Sequence, residues 1–578
     1  MLHLRHTPSL IALSLLLSVV QTAFATDPVV CIDEDDFVPP PVAPAPQVLA
    51  TGLPRAIYEG ATPAGLDADR PVLVFVHGLN GTGEGWFGET LYYGRNDMYD
   101  TAYAAGYKTF FVDLYDVGAE AETSITNGVL LRQQISEIIG YWGVDVVNII
   151  AHSKGGPDAN FAALFGAPID SVVTLGGAHY GSPLADLAQT DWLEWLSELI
   201  GFNDAGTKFM QTACMGLVRG FLDANPVNNR MHYYTAGGTG WGPFLSALEF
   251  GGLYLFTQCP GGENDGVVCL EHARHPLSRD ASGSVSGSHR LVWDVSSPDF
   301  EVDHDKIKRG NGFFDFFWFW EPDDCYVPVF DSIEPYAGQF NANRLQAPLA
   351  STPAAVAQGQ RSVAAGNILR GGALGAGMTT VNFPLEAGVT GLDVRVLTAR
   401  ADTRVELVAP SGRVHTLSAP APSQSELFAG SYVSGARAER RDLRRSAGDW
   451  LLRFTATAED AYAVLINVAS PLSVAVVSPA ASTLAVPGDL KVAVASDGHA
   501  LRTQARVKRI STAGPAVAVG TFSAQGVSHL SLPLAEPGIY NVALTISGVT
   551  DGGDHFERSQ VLSYAVGEPL RAVPEACR

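Results

Sequence analysis

Val144-Asp-Val-Val-Asn-Ile-Ile-Ala-His-Ser-Lys-Gly-Gly156 runs from an apolar segment ending at Ala151 directly into a serine flanked by small residues. The apolar run reads as a buried strand, His152, Ser153 and Lys154 as a sharp turn, and the residues from Gly155 as the start of a helix that packs back on the strand. A turn this tight forces the serine into a strained backbone conformation and brings strand and helix almost into contact. Only small side chains fit on either side of it. Ala151 and Gly155 meet that requirement, so Ser153 is read as a nucleophile presented on an elbow.

Working outward, Pro71-Val-Leu-Val-Phe-Val-His-Gly-Leu-Asn80 is an apolar strand that ends at His77-Gly78 and enters a loop broken by Gly81, Gly83 and Gly85. A strand with no polar face belongs inside a parallel sheet. Thr109-Phe-Phe-Val-Asp-Leu114 is a second such strand, and residues 127–141 carry Leu130, Leu131, Ile135, Ile138 and Ile139 on one side of a helix. Residues 169–175 and 231–237 add two further strands, the first leading into Gly177-Ala-His-Tyr-Gly-Ser182. Strand and helix alternate, which predicts a mostly parallel sheet with helices on both faces.

The chain has 578 residues, 46% of them hydrophobic, enough for several separate cores. Its net charge of −23 argues against nucleic acid as a partner and suits an exported protein kept soluble by its charge. Residues 1–25 combine Arg5 and His6, an apolar run from Leu10 to Val20 and Ala23-Phe24-Ala25, the pattern of a signal peptide cleaved near Ala25. Residues 26–49 are acidic and then proline-rich, a spacer. The catalytic domain is expected over 50–344 and a Pro/Ala-rich linker over 345–361. After the linker helical periodicity gives way to alternation, as in Leu392, Val394, Val396 and again in Tyr540, Val542, Leu544, Ile546. Two β-sandwiches are expected, over 362–470 and, immunoglobulin-like, over 471–567, followed by a tail over 568–578. Six cysteines (Cys31, Cys214, Cys259, Cys269, Cys325, Cys577) allow up to three disulfides in an oxidising compartment.

The loop His77-Gly78-Leu79, Ala151-His-Ser-Lys-Gly-Gly156, Gly177-Ala-His-Tyr-Gly-Ser182, Asn264-Asp265-Gly266-Val267-Val268 and Val302-Asp-His304 follow one another as they do in secreted bacterial lipases. Over roughly residues 50–345 the chain resembles the Bacillus-type and Pseudomonas/Burkholderia-type lipases and esterases of the α/β-hydrolase superfamily. The resemblance implies an α/β-hydrolase catalytic domain and a carboxylic ester hydrolase of lipase type. In this fold the partners of the serine follow in the order Asp or Glu, then His. Asp265 fits that order and context as the acid, and His304, after Phe300-Glu-Val-Asp303, as the base. His289 is the alternative base, while His272 and His275 are expected on the solvated surface. The backbone N–H groups of Leu79 and Lys154 would hold the oxyanion. Two positions depart from the pattern. Ala178 replaces the proline that usually precedes the histidine of its loop, and Lys306 stands where Pseudomonas-type lipases place a calcium-binding Asp, which counts against that calcium site. No metal or cofactor is called for.

By the same resemblance Cys214 would bridge to Cys269, leaving Cys259 for Cys31 or Cys325. The stretch Thr190-Asp-Trp-Leu-Glu-Trp-Leu-Ser-Glu-Leu-Ile-Gly201 is amphipathic at helical spacing; the resemblance implies a lid there, with Trp192 and Trp195 contacting an acyl chain, and an ordinary core-packing helix is the alternative. The aromatic run Phe313-Phe-Asp-Phe-Phe-Trp-Phe-Trp320 is expected to be buried against the sheet. The substrate expected is an ester, lipid-like or polymeric: acylglycerols, short esters, or, as the alternative, a polyester, with the C-terminal β domains gripping an insoluble surface. Fold and triad leave amidase or acyltransferase chemistry open. A protein of another class, a secreted adhesion protein with a vestigial hydrolase unit, would be expected to have lost one of Ser153, Asp265 and His304.

Overall fold

Among the described residues eight strands form the central sheet: β1 (Gln47–Val48), β2 (Ile57–Glu59), β3 (Leu73–Val76), β4 (Thr109–Val112), β5 (Val147–His152), β6 (Ile169–Leu175), β7 (His232–Gly237) and β8 (Leu291–Val292). Their order is β8-β7-β6-β5-β3-β4-β2-β1. Neighbours are parallel from β8 to β4, and β2 and β1 close the edge antiparallel. The computed structural model describes residues 32–90, 93–193, 204–225, 227, 232–243, 246–276, 291–292, 302–314, 325–338, 340, 365–422, 431–439, 443, 447–477, 488–496, 501–526, 528–567 and 577.

Every residue of β3, β4, β5 and β6 is buried, because helices cover both faces of the sheet. On one face lies helix α1 (Ser124–Trp142), which starts where the Thr123 hydroxyl accepts from the Thr126 N–H and stops at Gly143 in the left-handed region. Leu130, Leu131, Ile135 and Ile138 of α1 pack with Val74, Val76, Ile149 and Ala151. The opposite face buries Phe75, Phe111 and Ile150 against Tyr99, Phe330 and Ile333. Buried apolar side chains of this size contribute about 1.5–3 kcal/mol each. Among the described residues no helix is long and apolar enough to cross a membrane.

The C-terminal region is built on one nine-stranded sheet rather than on two separate ones. Its strands run in the order Ala421–Pro422, Tyr432–Glu439, Gly391–Thr398, Asp460–Ala469, Ala365–Leu374, His555–Val566, Gly538–Val549, Leu501–Ser511, Gly514–Gln525. The link between its halves is the pairing of Asn367 with Ser559. A four-stranded sheet faces one half over a core holding Phe383, Trp450, Leu452 and Ile466. A three-stranded sheet faces the other over Val492, Leu532, Val542 and Tyr564. Two sandwich cores are therefore present and share a wall.

That wall packs on the helices around the central sheet. Helices α3 (Pro183–Ala188), α4 (Thr212–Asp223) and α5 (Ala247–Phe256) contact the strands His555–Val566 and Asp460–Ala469. Arg395, fully buried, pairs through Nε and Nη2 with both carboxylate oxygens of Glu249 at 3.1 and 2.8 Å. Asn541 Nδ2 donates to the Asp186 carbonyl at 2.9 Å, Lys208 Nζ to the Gly514 carbonyl at 2.8 Å, and Asn367 Nδ2 to the Thr257 hydroxyl at 2.6 Å.

Two sequence expectations change here. Cys214 bridges to Cys577, not Cys269, and Cys259 bridges to Cys269, not Cys31 or Cys325. The second pairing follows from a short loop closed on itself, in which Asn264 and Cys269 form a bridge and the Leu270 N–H donates to the Glu263 carbonyl. The other change concerns the stretch expected as a lid. Residues 194–201, with Trp195, lie outside the described residues, as do residues 315–320 of the aromatic run. Trp192 is buried among Leu369, Leu397, Ala463 and Leu465 of the C-terminal region, its carbonyl against Gly371. Asp191 is salt-bridged to Lys508 and Arg506. The apolar face seen in the sequence is thus satisfied at Trp192 by the C-terminal sheet.

Candidate active site

Ser153 follows the last residue of β5 and has φ +54°, in the left-handed region that non-glycine residues rarely adopt. The conformation is held from both sides: the Ser153 N–H donates to the Leu175 carbonyl at 3.0 Å, and the Ser153 carbonyl accepts from Gly156 and Ala178 at 3.1 and 3.2 Å. Helix α2 (Gly155–Leu164) begins so close to β3 that a methyl group at Gly155 would run into the His77 carbonyl. The sequence pattern of small residues around the serine reflects this contact.

Asp265 and His304, 39 residues apart, meet beside the end of β6. His304 Nδ1 lies 2.7 Å from Asp265 Oδ2, and the His304 N–H donates to the Asp265 carbonyl at 2.9 Å. The other carboxylate oxygen, Oδ1, accepts from the N–H groups of Val267 and Val268 at 3.0 and 2.7 Å. Asp265 is therefore fixed as an acceptor with no freedom to turn. Gly176 at the end of β6 has φ +56°, and a side chain there would press on Asp265 Oδ2 and His304 Nδ1. Burial acts to lower the His304 pKa, but the Asp265 carboxylate and its hydrogen bond outweigh it, and the net shift is upward from 6.5. Behind His304 stands His152, whose Nε2 lies 2.8 Å from the His304 carbonyl. Burial, with the charges of His304 and Lys308 added, holds His152 well below the usual histidine range, so it is a neutral support.

Ser153, Leu79 and Lys154 line one open cavity of about 600 Å3, the solvent space at its opening included, whose remaining walls include Leu184, Ala188, Leu193, Met210, Val267 and Val268. The size and apolar lining suit an acyl chain. Among the described residues the backbone N–H groups of Leu79 and Lys154 have no acceptor within the protein. Leu193, rather than Trp192, reaches the cavity from the stretch expected as a lid.

The remaining histidine expectations divide. His289 lies outside the described residues. His272 and His275 are buried, against the expectation of a solvated role. His272 Nδ1 lies 3.1 Å from the Gly181 carbonyl, while His275 stacks on Tyr233 at 3.8 Å between ring centres. Both sit beneath the loop that follows β6, and their closeness in sequence to Asp265 placed them under the site instead of outside it. Lys306 carries its ammonium over the Tyr93 ring at 4.7 Å. Sequence reading missed Asp116 and Asp158, which surround the Lys154 ammonium at 2.7 and 3.1 Å. The signal was there in part, since Lys154 and Asp158 stand four apart at a helix start.

Residues 69–182 match the family described as Lipase (class 2). A triacylglycerol lipase of Vibrio cholerae serotype O1 is 36% identical over 75 residues, and the chain spans 24% of the length of that curated relative. The structure is similar to the crystal structure of a Bacillus licheniformis lipase, BlEst2, in its propeptide form, with a TM-score of 0.65 and 25% identity over 88% of this chain and 96% of that one. The mature form of the same lipase is 33% identical over 44% of this chain and 93% of that one, with a TM-score of 0.37.

Proposed function

With this chain placed among the bacterial lipases and esterases of the α/β-hydrolase superfamily, we propose that it hydrolyses carboxylic esters through an acyl-enzyme, with Ser153 as nucleophile, His304 as base and Asp265 as the acid that orients it. The observation that best supports the reading is the buried Asp265–His304 pair at 2.7 Å, brought from distant loops beside Gly176, with the His304 carbonyl held by His152 next to Ser153, which itself lines an apolar cavity. His304 takes the Ser153 proton as the hydroxyl attacks the ester carbonyl and returns it to the leaving alcohol. Water then repeats the exchange to release the acid. The oxyanion is received by the N–H groups of Leu79 and Lys154. The substrates proposed are acylglycerols or shorter carboxylic esters, with polyesters as the alternative, and the protein is proposed to be exported through residues 1–25. A panel of p-nitrophenyl esters of increasing acyl length, run on wild type and on Ser153→Ala, tests the reading. Turnover that depends on Ser153 supports it, and the chain length of the optimum distinguishes esterase from lipase.

The base must be neutral to work, so kcat/KM should fall as pH drops through the His304 pKa. Because Asp265 raises that pKa, the acid limb is expected above 6.5, and Asp265→Asn should move it to lower pH as well as slow the reaction. A limb that does not move in Asp265→Asn would separate the two residues.

We also propose that the C-terminal β region is a cover for the site rather than a lid or a passive appendage. Support comes from its packing on α3 and α5, beside the cavity, and on Trp192, and from the likeness to a lipase solved in propeptide form. Cutting the chain within the sequence linker 345–361 in a Cys577→Ser protein should then raise the rate on emulsified long-chain esters at least tenfold, with short dissolved esters changed little. Without that substitution Cys577 is bonded to Cys214, and the cut fragment stays attached and re-docks at a high effective concentration. The full gain is expected only when the cut is combined with Cys577→Ser. A loss of rate on the emulsion after the cut would instead mark the region as a surface-binding module.

A further inference from the structure

We propose that Asp116 is a positioning residue for the oxyanion site, holding both backbone segments that supply its donors and so fixing the distance between them. The inference rests on the acyl-transfer reading above. One segment is the elbow. The Lys154 side chain is buried in the protein, where its Nζ donates to Asp116 Oδ1 at 2.7 Å and to both Asp158 oxygens at 3.2 and 3.1 Å. All three groups are buried, so the ammonium has no water to relax toward, and charge-assisted bonds of this kind are the stiffest a side chain makes. The other segment is the loop 77–80. The carbonyl of the same Asp116 accepts from the Asn80 N–H at 2.6 Å. Asn80 Oδ1 accepts in turn from the Gly118 N–H at 2.9 Å, and Asn80 itself is held at φ +59°.

His77 completes the grip. The Leu114 N–H donates to His77 Nε2 at 2.9 Å, which leaves the ring proton on Nδ1, 2.8 Å from the Gly78 carbonyl that receives it. The chain from Leu114 to Gly118 thus clasps His77, Gly78 and Asn80 on either side of Leu79, and through one carboxylate it clasps Lys154. The two N–H groups proposed to receive the oxyanion belong to Leu79 and Lys154, and Asp116 is bonded to both segments, to the loop through its carbonyl and to the elbow through its carboxylate. Oxyanion donors act over a narrow window, about 2.7–3.1 Å from the forming charge, and complete loss of one costs ~100- to 1,000-fold in turnover. A group that sets their spacing should act on the transition state while leaving ground-state binding alone.

The test uses the full chain with p-nitrophenyl butyrate and a boronic acid that forms a tetrahedral adduct on the serine. Asp116→Asn keeps an oxygen toward Lys154 but removes the charge. It is expected to lower kcat about 10- to 100-fold, with KM within twofold, to weaken boronic acid inhibition by the same factor and to leave the acid limb of the pH profile in place. Asn80→Ala, at a partly exposed position that does not threaten folding, should lower kcat about tenfold with the same pattern. A folded Asp116→Asn with kcat and boronic acid affinity within threefold of wild type would overturn the proposal, as would a loss confined to Tm. If Asp116→Asn does not fold, an Asn80→Ala protein with unchanged kcat overturns it alone. Activity that survives Ser153→Ala would defeat the acyl-enzyme reading itself, an outcome separate from either of these.

Discussion

Ser153→Ala is expected to reduce ester hydrolysis by roughly 10^4- to 10^6-fold while Tm stays within a few degrees of wild type. The size of the effect follows from the mechanism: without the hydroxyl there is no acyl-enzyme, and the base, the acid and the oxyanion donors are left with only a small rate above water to supply. The fold is expected to survive because the hydroxyl makes no hydrogen bond that holds the turn. The turn is held by backbone atoms, through the Ser153 N–H and carbonyl. Alanine does pay for φ +54°, but serine pays about the same. Residual turnover within tenfold of wild type on short dissolved esters would remove Ser153 from the mechanism.

His304→Ala should come close behind, at about 10^4-fold or more in kcat, and His289→Ala should change kcat less than threefold. The difference between the two is the informative quantity. His304 is bonded at Nδ1 to a carboxylate that itself cannot turn, since Val267 and Val268 hold its second oxygen, so the imidazole is fixed in the tautomer that leaves Nε2 free to accept a proton. The reverse ranking would move the base to His289 and leave the Asp265–His304 pair as a structural one.

Much of the central sheet could be read from the chain. Strands buried on both faces are apolar throughout, and Pro71-Val-Leu-Val-Phe-Val76 and Thr109-Phe-Phe-Val112 have no other use. The geometry at Ser153 was equally legible, because the steric demand of a tight turn leaves its mark as Ala151 and Gly155. What could not be read is non-local pairing. Alternation in Leu392, Val394 and Val396 says that a strand has a buried face, but it does not say that Ala365–Leu374 pairs with His555–Val566 and fuses two sandwiches into one wall. The amphipathic pattern around Trp192 likewise announces that something apolar covers it, and the cover arrives from residues more than 170 positions later. The Cys214–Cys577 bridge is illegible for the same reason, since its cysteines are separated by 363 positions. His272 and His275 stand too close in sequence to Asp265 to act as its partner, but that closeness carries no information about burial, and both are buried.

The central claim is that Ser153 carries the acyl group. It is tested most directly by inactivating the protein with a p-nitrophenyl alkylphosphonate, which phosphonylates a serine nucleophile irreversibly, and locating the adduct by peptide mass spectrometry. The account predicts one adduct per chain on the peptide bearing Ser153, with p-nitrophenol released in equal amount, activity lost in proportion, and no adduct on Ser153→Ala. An adduct on a different residue that accompanies the loss of activity, or full activity in a protein modified at Ser153, would contradict it.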